Sequence, residues 1–272
     1  MTIGQLTTAV TDHGAGRVVL LLHGNPDYRE GWHTVIDQLE DGYRCVAADL
    51  PGFGDAGPPP ASFDFGPQAF AGFVDGLLRE LAIPEPVVLV AHDVGAVPAL
   101  AWAAVNPDRT VGMVVANTVF HPDYHWHTMA RLWRTPAVGE LFMMVMNQAA
   151  FRRAISKEAP KAAPSEPDRM YAKLDRTTRA TILRWYRRMT RPDYLGDWLE
   201  RMTAIARTVP TRVVWGRRDR LIPDRYAYRI GEHVTWLDEV GHWVPLEAPD
   251  AIANAVRDLT KPLTWNPTDA PG

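Results

Sequence analysis

The chain has 272 residues, 46% of them hydrophobic and 22% charged, with a formal net charge of −3 at pH 7. This size and balance fit one large α/β domain with or without an insertion, and the small net charge excludes a general pull toward nucleic acid or a membrane surface. One cysteine, Cys45, excludes an internal disulfide and fits a reducing compartment.

The first residues, MTIGQLTTAVTDHG, have no basic start followed by an apolar core, so they do not read as a secretory leader. No apolar stretch approaches membrane-spanning length. A cytoplasmic protein is expected. RVVLLLHG (17–24) is a continuous apolar run ending in a Gly turn, the pattern of a strand buried on both faces. GWHTVIDQLED (31–41) has helical spacing, and YRCVAADLPGFG (43–54) is a second strand with a Gly/Pro stop. PQAFAGFVDGLLRELAI (67–83) is an amphipathic helix that ends before Pro84. VVLVAHDVGAVPAL (87–100) passes from an apolar strand through a sharp bend into a small-residue helix, and VGMVVANT (111–118) is a further strand. The pattern resumes with the strand TRVVWGRRD (211–219), helix-like RYAYRIGE, strand-like VTWLDEVGH and a closing helix PDAIANAVRDLT. Repeated β–α alternation predicts an α/β class: a mainly parallel sheet with helices on both faces.

The stretch from 125 to 207 breaks that rhythm, being helix-rich and nearly free of strand-like runs. It reads as a helical cap inserted into a core made of 1–124 and 208–272. Residues 131–209 hold 16 Lys and Arg against 8 Asp and Glu, which leaves 13 against 24 elsewhere. Solvated helix faces explain that excess best; a basic cap attracting anionic substrates is the alternative. The Pro-rich GPPPAS loop and the tail TWNPTDAPG are the only stretches resembling low complexity.

The chemistry concentrates at strand ends. Asp93 stands in the bend Ala91-His92-Asp93-Val94-Gly95, where small flanking residues permit a tight elbow of the kind that exposes a nucleophile. Asp219 follows one strand, and His242 follows the last, in EVGHWVPLEAPD. A helix N-cap would explain Asp93 alone, but not the nucleophile–acid–histidine order of the three.

On these motifs the chain resembles the α/β-hydrolase family, and within it the branch with an aspartate nucleophile, which holds epoxide hydrolases and haloalkane dehalogenases. The resemblance extends to His23-Gly24-Asn25-Pro26, Asp49-Leu50-Pro51-Gly52-Phe53-Gly54, the helical cap, Trp215-Gly216 and Gly241-His242-Trp243. It implies an α/β-hydrolase fold with backbone N–H groups of Asn25 and Val94 as an oxyanion hole. A carboxylate attacking an acyl carbon gives an anhydride; attacking an sp³ carbon, it gives a stable alkyl ester. His242, oriented by Asp219, then activates water against the carbonyl of Asp93 itself.

The leaving group divides the motifs. Trp185-Tyr186-Arg187 resembles the cap segment that carries a ring-opening tyrosine in epoxide hydrolases, which gives Tyr186 the role of acid. A second tyrosine is expected near Glu140–Met143, where phenylalanine and methionine stand instead; Tyr171, Tyr124 or a histidine of HPDYHWH could substitute. Asn25 leans toward a dehalogenase, whereas Val94 occupies a position that is tryptophan in that branch; Trp126 or Trp133 could offer an indole N–H. Epoxide hydrolysis is the preferred reading, ahead of haloalkane dehalogenation, a non-catalytic ligand receptor and an ordinary esterase. His23, Phe142, Met143, Met146, Trp126 and Trp243 are expected to line a substrate pocket. His121, Asp123, His125 and His127 match no metal-binding spacing and read as loop or pocket lining. No cofactor or metal is implied. The expected partner is a small-molecule substrate, not nucleic acid or a membrane, and nothing in the sequence sets the oligomeric state.

Overall fold

The computed structural model describes residues 1–118, 120–121 and 123–261; the tail TWNPTDAPG lies outside them. A two-stranded ribbon, β1 (Thr2–Ile3) and β2 (Leu6–Thr7), precedes the main sheet. The sheet comprises β3 (Val10–Gly14), β4 (Arg17–Leu22), β5 (Tyr43–Ala48), β6 (Val87–His92), β7 (Thr110–Ala116), β8 (Thr211–Gly216) and β9 (Val234–Leu237). Its order is β3-β5-β4-β6-β7-β8-β9, with β3 antiparallel to β5 and every other pairing parallel.

Strand alternation divides the core into two layers. Val18, Leu20, Leu22, Leu89 and Val115 point to one face, where α2 (Pro67–Glu80), α3 (Ala96–Val105) and the helices after β7 pack. Val19, Leu21, Cys45, Val88, Val90 and Val114 point to the other, against α1 (His33–Leu39), α10 (Val244–Glu247) and α11 (Pro249–Thr260). Because both faces are covered, the central strands read as unbroken apolar runs. Cys45 is fully buried, and burial pushes its thiol up to about 12, so it is inert as a nucleophile.

Among the described residues between β7 and β8 there are six helices: α4 (Thr128–Arg134), α5 (Val138–Val145), α6 (Gln148–Glu158), α7 (Glu166–Ala172), α8 (Arg176–Met189) and α9 (Trp198–Thr208). Asn147 and Asp175 cap α6 and α8 by accepting the backbone N–H groups of Ala150 and Thr178. α8 is joined to the core through Trp185, fully buried among Phe53, Phe65 and Phe70.

Two local expectations differ from what forms. The segment RYAYRIGE holds a short 3-10 turn, Asp224–Arg229, rather than an α-helix. VTWLDEVGH is a strand only through Leu237, after which the chain turns to carry His242 across the strand ends.

The chain connects β4 leftward to β5 and later places β6 on the opposite side of β4. Loops leaving adjacent strands there diverge and open a crevice at the carboxyl ends, the usual ligand position in an open parallel sheet. Asn25 follows β4 and Asp93 follows β6 across that gap.

Candidate active site

The elbow after β6 is held in a conformation that few residues adopt. Asp93 has φ of +51°, a left-handed region that aspartate tolerates better than bulkier residues. Space around it is minimal: a Cβ on Gly95 would stand 2.4 Å from the carbonyl oxygens of Leu22 and His23, and one on Gly24 would stand 2.6 Å from Cβ of Asp93. The Thr118 hydroxyl donates to the Asp93 carbonyl at 2.5 Å, which fixes the turn from the end of β7.

The backbone N–H of Asn25 donates to Oδ2 of Asp93 at 2.9 Å, and the N–H of Val94 lies close enough to favour the charged carboxylate. Oδ1 lies 4.0 Å from Nε2 of His242. One carboxylate oxygen thus meets the Asn25 N–H while the other faces the imidazole.

Asp219 organises that imidazole. Its Oδ2 accepts from Nδ1–H of His242 at 2.8 Å and from the Asn117 amide at 2.7 Å. Its Oδ1 accepts the backbone N–H groups of Leu221 and Ile222. The first bond leaves Nε2 as the imidazole's lone-pair nitrogen when the ring is neutral.

Charge follows from this geometry. Burial raises the Asp93 carboxyl above the ordinary range despite its N–H donors. Burial alone would depress His242, but the carboxylates of Asp219 and Asp93 outweigh it and raise the ring to about 9. Asp219 is lowered: burial opposes its charge, and the attraction and hydrogen bond of His242 overcome it. In the resting site at neutral pH, His242 therefore carries a proton between two carboxylates.

The site opens into a cavity of about 690 Å³, a size suited to a small organic molecule. Asn25, Asp93, Val94, His242 and Trp243 lie at its base. Trp126, Phe142, Met143, Met146 and Tyr186 line its walls from the helices after β7 and the loop before them. Tyr186 is buried, packs edge-on against Trp126 and Trp133, and accepts a hydrogen bond from Nδ2 of Asn25 at 3.2 Å. Burial, with Asp93 nearby, raises its phenol well above the ordinary value, so the O–H keeps its proton as a donor.

His23 is a correction. It is buried under the loop rather than in the cavity, donating from Nδ1 to the Gly24 carbonyl and accepting the Leu50 N–H at Nε2. Both nitrogens are used to hold the strand-end loop in shape, and burial depresses the ring's pKa.

The tyrosines considered beside Tyr186 are both engaged. Tyr124 lines the cavity but donates its hydroxyl proton to the Leu221 carbonyl at 2.6 Å, and the hydroxyl of Tyr171 donates to the Met146 carbonyl at 3.4 Å. Of the HPDYHWH histidines, His127 lines the cavity, while His121 stacks on Phe120. Among the described residues no cluster of His, Cys, Asp and Glu could hold a metal ion.

Three contributors carry no motif of their own. Asn117 clamps β7 to β8 through Gly216 while holding Asp219. The Glu158 carbonyl, at the end of α6, accepts the His242 backbone N–H at 2.8 Å. Glu247 accepts the N–H groups of Gly241 and Lys161, tying the loop of His242 to the same segment.

Residues 17–249 match the alpha/beta hydrolase fold family. The chain belongs to that family. Relatives of this α/β hydrolase include a cis-3-alkyl-4-alkyloxetan-2-one decarboxylase of Xanthomonas campestris pv. campestris, 27% identical over 89% of the chain and 87% of the relative. An epoxide hydrolase of Siraitia grosvenorii is 38% identical over 42% of the chain and 37% of its own length. Among solved structures, an ancestral haloalkane dehalogenase superposes with a TM-score of 0.79 at 26% identity, covering 95% of this chain and 96% of that one. Among the described residues no helix is long and apolar enough to cross a membrane.

Proposed function

We propose that this α/β hydrolase is an epoxide hydrolase, with Asp93 as nucleophile, His242 and Asp219 as base and orienter, Tyr186 as ring-opening acid and the helices between β7 and β8 as a cap. The observation that carries the reading is a polarised carboxylate and a protonated phenol in one apolar cavity. Oδ1 of Asp93 faces the cavity side of His242 while Oδ2 takes the Asn25 N–H, and Tyr186 receives its hydrogen bond from Asn25, which leaves its own O–H for an oxygen in the cavity.

In the first step Oδ1 attacks one epoxide carbon, the C–O bond on the opposite side breaks, and the departing oxygen takes the Tyr186 proton. The product is a hydroxyalkyl ester of Asp93, its carbonyl oxygen at the N–H groups of Asn25 and Val94. Esterification also removes the negative charge 4.0 Å from His242. The imidazole then loses a reason to stay protonated and gives up its proton, which restores the phenol through the cavity's solvent. Neutral His242 next accepts a proton from water, whose oxygen attacks Cγ of Asp93. The tetrahedral oxyanion stands at the two backbone donors. Its collapse breaks the bond to the alkoxide, which leaves as the second hydroxyl of a vicinal diol after taking a proton. The balance is epoxide plus water to diol.

A second reading is haloalkane dehalogenation, favoured by one specific feature: the Asn25 side-chain amide is an N–H donor at the cavity base. A His242→Gln variant separates the two. Incubated with epoxides and with haloalkanes, it should stall at the ester, and peptide mass spectrometry reads the adduct. A hydroxyalkyl group on Asp93 supports the epoxide reading; a plain alkyl group from haloalkanes alone replaces it with the dehalogenase; no adduct removes covalent catalysis by Asp93.

A further inference from the structure

Most of the cavity wall is apolar, yet α6 brings two cations to it. Arg153 and Lys157 both line the cavity and both are exposed, so they stand where it meets solvent. They are four residues apart on one helix, which puts them on the same face, about 6 Å apart along its axis.

Of the segment's cations only these two line the cavity, and several of the others are held by carboxylates. Arg152 pairs with Asp168 at 3.6 Å, Arg169 with Glu166 at 2.7 Å and Arg187 with Glu140 at 2.7 Å. Arg153 and Lys157 have no carboxylate within ion-pair distance among the described residues. Glu158 also lines the cavity, beside Lys157 and toward His242, and burial raises its carboxyl. It leaves the outward part of this wall, around Arg153, positively charged.

We propose that the substrate is an apolar electrophile whose chain ends in a carboxylate, which Arg153 and Lys157 bind at the cavity mouth. This rests on the epoxide reading for the electrophile, but the anion subsite stands on its own geometry. Asp93 at the base repels a second carboxylate, so an amphipathic acid enters in one orientation: carboxylate outward to α6, apolar chain along Met143, Met146 and Phe151, and electrophilic carbon inward. Two unpaired cations at the mouth therefore select both the substrate class and its direction.

The test compares ω-epoxyoctanoate with its methyl ester in the wild type and in R153Q/K157Q, with R131Q/R152Q as a charge-matched control outside the cavity. In parallel, octanoate and methyl octanoate are titrated by quenching of tryptophan fluorescence, a readout that needs no turnover. The expected result is a roughly fivefold preference in kcat/KM for the acid, the upper end for an exposed ion pair. It should shrink with added salt and vanish in R153Q/K157Q with the ester rate unchanged. Equal rates for acid and ester in the wild type, or an undiminished preference in the double variant, overturn the proposal. If no epoxide is turned over but octanoate binds more tightly than its ester and loses that advantage in R153Q/K157Q, the anion subsite stands and the epoxide reading falls. If both epoxides are turned over equally and octanoate binds no better than its ester, the subsite falls and the epoxide reading stands; if neither epoxide is turned over and binding does not discriminate, both fall.

Discussion

Replacing Asp93 with Asn removes one of the two carboxylates that hold the proton on His242 while keeping the shape of the elbow. Oδ1 of Asp93 lies 4.0 Å from Nε2 of the ring. At an effective dielectric of about 20, unit charges at that separation attract by about 4 kcal/mol, ample to move a histidine across neutral pH. The ring of the wild type titrates at about 9. In D93N it should fall from there toward the ordinary histidine value, held up mainly by Asp219 and less by Glu158 against the opposing effect of burial. The assay is an NMR titration of the His242 imidazole in both proteins, with intact mass confirming that residue 93 remains an amide. The same linkage appears in stability. A raised folded-state pKa contributes stability that is complete below the unfolded histidine value and is lost as pH rises through the folded one. Denaturant titrations of the wild type should therefore weaken as pH climbs through about 9, and in D93N this loss should occur at lower pH. An unchanged His242 titration in D93N would show that Asp93 does not hold the proton, and the idea that alkylation of Asp93 primes the base would be wrong.

Tyr186→Phe should reduce the rate of adduct formation from epoxides by about 10²-fold, the lower end for loss of a general acid, while single-turnover ester hydrolysis changes little; full activity would remove Tyr186 as the acid. Glu247→Gln keeps the size of the side chain but gives up one of the two oxygens shared by Gly241 and Lys161. It should slow hydrolysis of the Asp93 ester about tenfold and leave adduct formation near the wild-type rate, seen as ester accumulating under turnover; equal slowing of both steps would mark a general structural role. Gly95→Ala would press a Cβ to 2.4 Å from two backbone oxygens, and should cost about 1–3 kcal/mol as an overpacked core does, measured by urea unfolding; unaltered stability would mean that the elbow shifts freely.

The central strands were legible because each is buried on both faces, so RVVLLL and VVLVAH are unbroken apolar runs with no other stable home. β3, VTDHG, was not, since it is an edge strand whose residues are half-buried or exposed, and its pairing with β5 leaves no apolar period to read. Positions of Asp93, Asp219 and His242 were readable because each follows a strand at the sheet's carboxyl edge, where chain order alone brings side chains together. The placement of His23 was not. Its motif neighbours Asn25, but one residue's difference along a turn decides whether a side chain faces the cavity or the loop beneath it, and here both ring nitrogens serve backbone groups.

The supporting contacts of His242 were beyond the sequence for a related reason. The Glu158 carbonyl and the N–H groups of Gly241 and Lys161 are backbone groups that any residue would supply. What selects them is proximity: a Cβ on Gly241 would stand 2.2 Å from the Glu158 oxygen, so only glycine lets the loop approach α6 closely enough for the neighbouring N–H of His242 to reach it. The end of α6 thus meets the histidine loop at one side, while Arg153 and Lys157 of the same helix stand at the cavity mouth. A shift of α6 moves the mouth cations and the support of His242 together, so substrate entry and the hydrolytic step share one helix.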